Sequence, residues 1–193
     1  VGIMTLGGGW GVIATDLCTE HGLVVPPLPG DIVDRLNRLL PDFWSHGNPV
    51  DLVGEGNPDI PKKCLEELLK WDGCDAVIHL GIHGKRVLVN NMAESVVASD
   101  PSVTREQVAA YKQGILAIES DYTRFVVQMT YAYQKPVLGV SLLTDGDSKT
   151  LYRFDDLDHK GVFFASPERA VKSLAAMVGY RQWCKKQDGK LPG

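Results

Sequence analysis

The chain of 193 residues is 44% hydrophobic and 23% charged, an ordinary balance for a packed globular protein and incompatible with a disordered, collagen-like or coiled-coil chain. Its formal charge of −4, with lysines and arginines scattered rather than striped, offers no electrostatic footprint for nucleic acid. No apolar run reaches the roughly 20 residues that cross a bilayer, so the reading is one soluble domain with neither membrane nor nucleic acid as partner. The domain is expected over residues 1–186, with 187–193 as a linker. The first residue is not Met and already reads as part of a core strand, so the natural protein is expected to continue upstream. Cys18, Cys64, Cys74 and Cys184 lie far apart with no CxxC pair. Reduced, mostly buried thiols and a cytoplasmic location follow from that spacing.

In chain order, Val1 to Leu6 predicts a strand that ends in Gly7-Gly8-Gly9-Trp10-Gly11, and Val12 to His21 predicts a helix that stops at Gly22. Leu23 to Leu28 reads as a second strand, held to an edge by Pro26 and Pro27, and Asp31 to Leu40 as a helix ending before Pro41. Gly47 to Leu52 is a rigid polar turn leading into a short extended segment. Asn57-Pro58 offers an N-cap and an N1 proline for a helix ending near Trp71, and Asp75 to Gly81 is a buried strand. A helix over Lys85 to Val97 is followed by a new start at Thr104, where Gln107 completes a capping box, and no proline interrupts the chain before Gln134. Gly114 marks a bend or a close contact in that long stretch. Val137 to Leu142 is a fourth strand, Asp145-Gly146-Asp147 a turn, Gly161 to Phe164 a fifth strand, and Ser166-Pro167-Glu168 opens the last helix.

Apolar strands alternating with helices imply an α/β fold, a flavodoxin-like or Rossmann-like three-layer sandwich on a mainly parallel five-stranded sheet of order 2-1-3-4-5. Ligands of such sheets bind beyond the carboxyl ends of the strands, which here means near Gly7 to Gly11, Gly81 to Lys85 and Thr144 to Asp147. The glycine turn follows a strand and opens a helix; it is a bare turn, an anion cradle or a dinucleotide site, and it lacks the lysine of a P-loop. Gly81-Ile82-His83-Gly84-Lys85-Arg86 repeats the strand-to-helix geometry with cationic side chains added. His83 has no carboxylate partner in reach of its own sequence and reads as a surface or hydrogen-bonded residue, His79 as a satisfied core histidine. Asn48 and Asp51 can satisfy loop amides or touch a ligand. The histidines and cysteines show no zinc spacing, and no GxSxG elbow exists, so no metal and no hydrolase nucleophile are expected.

Taken together and in order, Thr5 to Gly11, Gly-Asn-Pro-Val-Asp-Leu at 47 to 52, Asp-Ala-Val at 75 to 77, Lys-Pro-Val at 135 to 137 and Ser-Pro-Glu-Arg-Ala at 166 to 170 resemble the NDP-forming acyl-CoA synthetases. The match is to their third α/β module, similar to the carboxyl-terminal domain of the succinyl-CoA synthetase β subunit, and it is weakest between Arg86 and Gln134. The resemblance implies an acid–thiol ligase that interconverts a carboxylic acid, CoA and a nucleoside triphosphate with acyl-CoA, nucleoside diphosphate and phosphate through a phosphohistidine. That histidine belongs to a Ser-His-Thr-Gly pattern in the preceding module, which this chain lacks, so the segment alone is expected to be inactive. CoA, nucleotide and Mg are expected for the parent enzyme and none of them for this segment. The implied role is to hold the phosphohistidine at Gly84, Lys85 and Arg86 with Gly7, Gly8 and Gly9 alongside, Trp10 packing on a partner module or narrowing the pocket. The implied partners are CoA-binding, histidine-loop and ATP-grasp modules, with a homo-oligomer left open. A free-standing regulatory, scaffold or small-molecule-binding flavodoxin-like domain is the alternative.

Overall fold

The computed structural model describes residues 1–188. β1 (Gly2–Thr5) is fully buried and runs through the glycine turn into α1 (Gly8–Glu20). That helix closes with a Schellman motif: Leu23 N–H donates to the Cys18 carbonyl (2.8 Å) and Gly22 N–H to that of Thr19 (3.1 Å), with Gly22 at φ +71°. α2 (Gly30–Leu36) stops short of Leu40, its last residues tightening into i→i−3 turns. β2 is Val50–Asp51 and α3 is Asp59–Lys70. The helical span of α3 begins at Asp59 with Pro58 before it, one residue later than expected, while the expected capping bond still forms: Asn57 Oδ1 accepts from the Asp59 amide (3.0 Å). There follow β3 (Val77–Leu80), α4 (Lys85–Ser99), α5 (Arg105–Tyr133), β4 (Val137–Val140), β5 (Leu151–Tyr152), β6 (Gly161–Phe164) and α6 (Pro167–Asp188). The capping box of Thr104 and Gln107 forms in both directions. α5 is continuous through Gly114, where a Cβ would meet open space, so no close contact explains that glycine. α6 carries the chain through Gln187 and Asp188, helical where a linker was expected; residues 189–193 of that linker lie outside the described residues.

The sheet runs β2-β1-β3-β4-β6-β5, and its first five strands are parallel in the expected 2-1-3-4-5 order. β5 adds an antiparallel edge to β6, Leu151 opposite Val162 and Tyr152 opposite Gly161, which makes six strands. The strand beside β1 is not Leu23 to Leu28 but Val50–Asp51, in register with Met4 and Thr5. Pro26 and Pro27 remove two N–H donors from the earlier run, so it cannot build a ladder. A side chain joins it instead: Asn48 Oδ1 accepts from the Ile3 amide (2.9 Å), and Asn48 Nδ2 donates to the carbonyls of Val1 (2.9 Å) and Pro26 (3.0 Å). Asn48→Ala leaves three main-chain groups without that partner and is expected to lower the unfolding free energy by about 2 kcal/mol. Urea denaturation checks it. Asn48→Asp should lose nearly as much, since a carboxylate keeps the acceptor and loses both donors.

Side chains alternate across the strands into two cores. Met4, Val77 and Val137 face Ile32, Leu36, Leu65, Leu68 and Val126 of α2, α3 and α5. Ile3, Ile78, Leu80, Leu138 and Val140 face Ala14 and Cys18 of α1 and Ala170, Val171 and Leu174 of α6. Helices therefore cover both faces, as a parallel sheet requires. Only the second half of α5 is anchored, through Tyr122, Thr123, Val126 and Val127. Among its described residues α4 has no fully buried side chain, and it packs on α5. All four cysteines are free, three of them buried. Burial pushes the Cys64 thiol up to about 12, with Glu67 and Glu55 adding to the effect, which keeps it protonated and inert.

Candidate site at the carboxyl edge of the sheet

The ends of β1, β3 and β4 open on a cleft of about 350 Å³ lined by Thr5 to Trp10, Leu80, Gly81 and Leu142. Thr5 Oγ1 shapes the turn, donating to the Gly7 carbonyl (2.7 Å) and accepting from the Gly7 amide (3.2 Å). Gly7 then caps α1 with extended backbone and no side-chain hydrogen bond, and the first turn contains no acid. The helix can sit so close because Gly11 has no side chain: a Cβ there would lie 3.0 Å from Pro49 Cβ and 3.1 Å from Thr5 Cγ2. Trp10 lines the cleft and packs partly on the α1–α6 core. Asp51 bounds the turn on the β2 side. Its Oδ1 accepts from the Val53 amide (2.8 Å), and its Oδ2 lies 3.0 Å from where a Gly8 Cβ would be.

The second strand-to-helix turn is built differently. Gly84, the N-cap of α4, has φ +89°, and a Cβ there would lie 2.8 Å from Leu142 N and 2.9 Å from Leu143 O, so glycine is required on both counts. The His83 carbonyl accepts from the Leu142 amide (2.7 Å), which ties the turn to the end of β4. The amides of Gly84 and Lys85 donate to one oxygen of Glu119, at 2.9 and 2.7 Å. The other Glu119 oxygen lies 3.5 Å from His83 Nε2. The Arg86 guanidinium pairs with Asp145, whose carboxyl is held below its usual range by the Ser148 hydroxyl and by Arg86.

Two histidines lie under this turn. His79 on β3 is fully buried; its Nδ1 is 3.3 Å from the Tyr122 hydroxyl, and its Nε2 has no hydrogen-bond partner among the described residues. Burial pushes it down to about 3, with His83 adding a smaller push. His83 is 2% exposed, not a surface residue, and its ring lies against Phe163 and Tyr152 at centroid distances of 4.3 and 4.7 Å. Neither His83 nitrogen has a hydrogen-bond partner among the described residues. Burial lowers its pKa and Glu119 pulls the other way. A cavity of about 220 Å³ beside it is lined by His83, Gly84, Arg86, Glu119, Lys149 and Tyr152, among others.

Both glycine turns thus lie at the carboxyl edge, at the ends of adjacent strands. Asn48 stands away from the cleft lining, in the loop before β2. Glu119 escaped the sequence reading, although it was visible as an acid on the stripe Ile115, Glu119, Tyr122, Val126, whose last two members are buried against the sheet.

The Ligase-CoA domain family matches residues 1–143. The chain is 23% identical over 189 residues to a 4-hydroxybutyrate–CoA ligase (ADP-forming) of Nitrosopumilus maritimus, covering 98% of this chain and 22% of that protein. It is 28% identical over 195 residues to the acetate–CoA ligase (ADP-forming) I subunit alpha of Pyrococcus furiosus, covering 97% of this chain and 34% of that protein. The chain therefore spans between 22% and 34% of the length of these relatives. A likeness in fold extends to the acetyl-coenzyme A synthetase 1 of Ca. Korarchaeum cryptofilum, described as dinucleotide forming, in its apo form. The TM-score is 0.61 at 16% identity, over 100% of this chain and 35% of that one. Among the described residues no helix is long and apolar enough to cross a membrane. On the family match, which covers well over half its length, this chain belongs to the Ligase-CoA domain family.

Proposed function

We propose that the chain is a non-autonomous module of an ADP-forming acyl-CoA ligase, and that its carboxyl-edge turns receive the phosphoryl group carried on a histidine of a neighbouring module. The observation that supports this reading is the open amino end of α1, where Gly7, Gly8 and Gly9 face a cleft without an acid in the first helical turn. Converging amides and the positive end of a helix dipole stabilise phosphoryl charge without a base and without reorganisation. Asp51 flanks Gly8 and is absent from the cleft lining, so the anion approaches from the side of Leu80, Gly81 and Leu142.

Among the described residues, the lining of the cleft contains no carboxylate and no basic side chain, a poor match for Mg and a nucleotide. CoA, nucleotide and Mg belong in this reading to the CoA-binding and ATP-grasp modules, and the catalytic histidine to a third. The role of this chain is to position and to neutralise.

Gly9→Asp in the assembled ligase tests the reading. A Cβ at Gly9 meets nothing within 4 Å, and an acid in the first turn favours a helix over glycine there. The melting temperature is therefore expected to hold or rise, while acyl-CoA synthesis falls about a hundredfold because the carboxylate occupies the phosphoryl position. Unchanged turnover in a folded variant would reject the α1 cleft as that position.

A further inference from the structure

The amide pair at the start of α4 already holds an anion, and the anion belongs to this chain. Glu119, on the opposite side of the α4–α5 connection, accepts from Gly84 and Lys85 through a single oxygen at 2.9 and 2.7 Å. Its side chain is only 11% exposed. A carboxylate on two converging main-chain amides at a helix N-terminus occupies the geometry that an external phosphoryl oxygen takes up.

A second observation, independent of the helix end, points to a ligand. His83 is 2% exposed, both its ring nitrogens lack hydrogen-bond partners among the described residues, and it lines the cavity of about 220 Å³ that opens beside Gly84. Glu119 does not satisfy it, since 3.5 Å to Nε2 is beyond a good hydrogen bond. Lys149 and Arg86 border the same cavity together with Glu119 and Asp147, so its charges balance while Glu119 is in place and turn positive once that carboxylate leaves. Glu119 also walls an adjoining cavity of about 70 Å³ shared with Lys85 and Glu55. Glu119 thus borders both cavities.

We infer that Glu119 is a built-in competitor, occupying the anion site at the start of α4 until a phosphoryl group displaces it from the Gly84 and Lys85 amides. The inference rests on the reading of the carboxyl-edge turns as phosphoryl-holding. It makes α4 the gated member of the pair and α1 the open one. A dianionic phosphoryl group outbids a single carboxylate on the same two amides because the attraction grows with charge, and it brings additional oxygens within reach of His83.

The test titrates inorganic phosphate into this chain and follows the backbone amide resonances of Gly84 and Lys85, in the wild type, Glu119→Ala and Glu119→Gln. Removing the competitor is expected to lower the half-saturating phosphate concentration at those two amides about tenfold in the alanine variant. Glu119→Gln keeps an acceptor and loses the charge, so it should fall between the two. If the alanine variant does not fold, the glutamine variant decides alone. Equal half-saturation in the wild type and the variants would overturn the gate while leaving a phosphate site at α4. Silence of Gly84 and Lys85 in all three proteins would overturn the gate together with the phosphoryl role of α4, and the Gly8 and Gly9 amides in the same spectra report separately on α1.

Discussion

Gly139→Val is expected to lower the unfolding free energy by about 3 kcal/mol, a larger effect than most substitutions of solvent-facing residues. The cause is a slot across the sheet. Gly139 on β4 lies between His79 on β3 and Phe163 on β6 in the ladder register, so the three share one face. With no side chain at 139, the Phe163 ring folds over the gap; a Cβ there would sit 2.3 Å from Phe163 Cδ1 and 2.9 Å from His79 Nε2. The ring has no free direction in which to yield. It is 1% exposed and packs edge-on against His79 and Tyr152 and at a tilt on His83. Interiors packed at crystal-like density transmit such an overlap to their neighbours instead of absorbing it. Gly139→Ala should show a smaller loss in the same direction. The double variant Gly139→Ala, Phe163→Leu should be less destabilised than the sum of its single changes, because trimming the ring removes the clash. Urea denaturation of the four proteins checks this, and strict additivity would contradict the slot.

The same region shows what could be read from the chain before its structure and what could not. Val77 to Leu80 and Val137 to Val140 are buried on both faces, and Gly161 to Phe164 on one face with the other half-buried, so they appear as short continuous apolar runs between turn residues, and their parallel order follows from the intervening helices. The caps at Thr104 and Ser166 and the stop at Gly22 are local chemistry and were legible for that reason. Leu23 to Leu28 looked like a strand by composition, yet two prolines deny it donors, and the ladder went to Val50–Asp51, a pair too short to carry a pattern. β5 is equally short and lies in a polar run. In the candidate site the glycine turns were visible and their partner was not. Glu119 lies 35 residues from Gly84, and no spacing rule connects a mid-helix acid to a helix start across a long connection. The stripe through Tyr122 and Val126 marks it as an acid beside a buried face, but it falls in the stretch where the family resemblance is weakest, and nothing local ties it to Gly84. His83 was read as a loop residue because only the tertiary packing of Phe163 and Tyr152 buries it.

That burial carries the second large prediction, a steep loss of stability in mild acid. His79 has a folded pKa of about 3 against an ordinary value of 6.5, because its ring is fully buried and charging it there would forfeit hydration. The folded state therefore refuses the proton that the unfolded chain accepts. Above the unfolded pKa both states are neutral and the contribution is complete. As the pH falls below 6.5 toward 3 the unfolded chain binds one proton more, and stability is lost across that window. One such group costs about 1.4 kcal/mol per pH unit, or about 3 kcal/mol by pH 4. His83 moves in the same direction through its own burial, tempered by the Glu119 carboxylate, so it steepens the loss without reversing its sign. His79→Gln isolates the effect, since glutamine does not titrate and can still accept from the Tyr122 hydroxyl. Urea unfolding measured between pH 7 and pH 4 should give a slope against pH that is shallower in the variant than in the wild type by about 1.4 kcal/mol per unit. Parallel slopes would mean that His79 is protonated inside the folded protein.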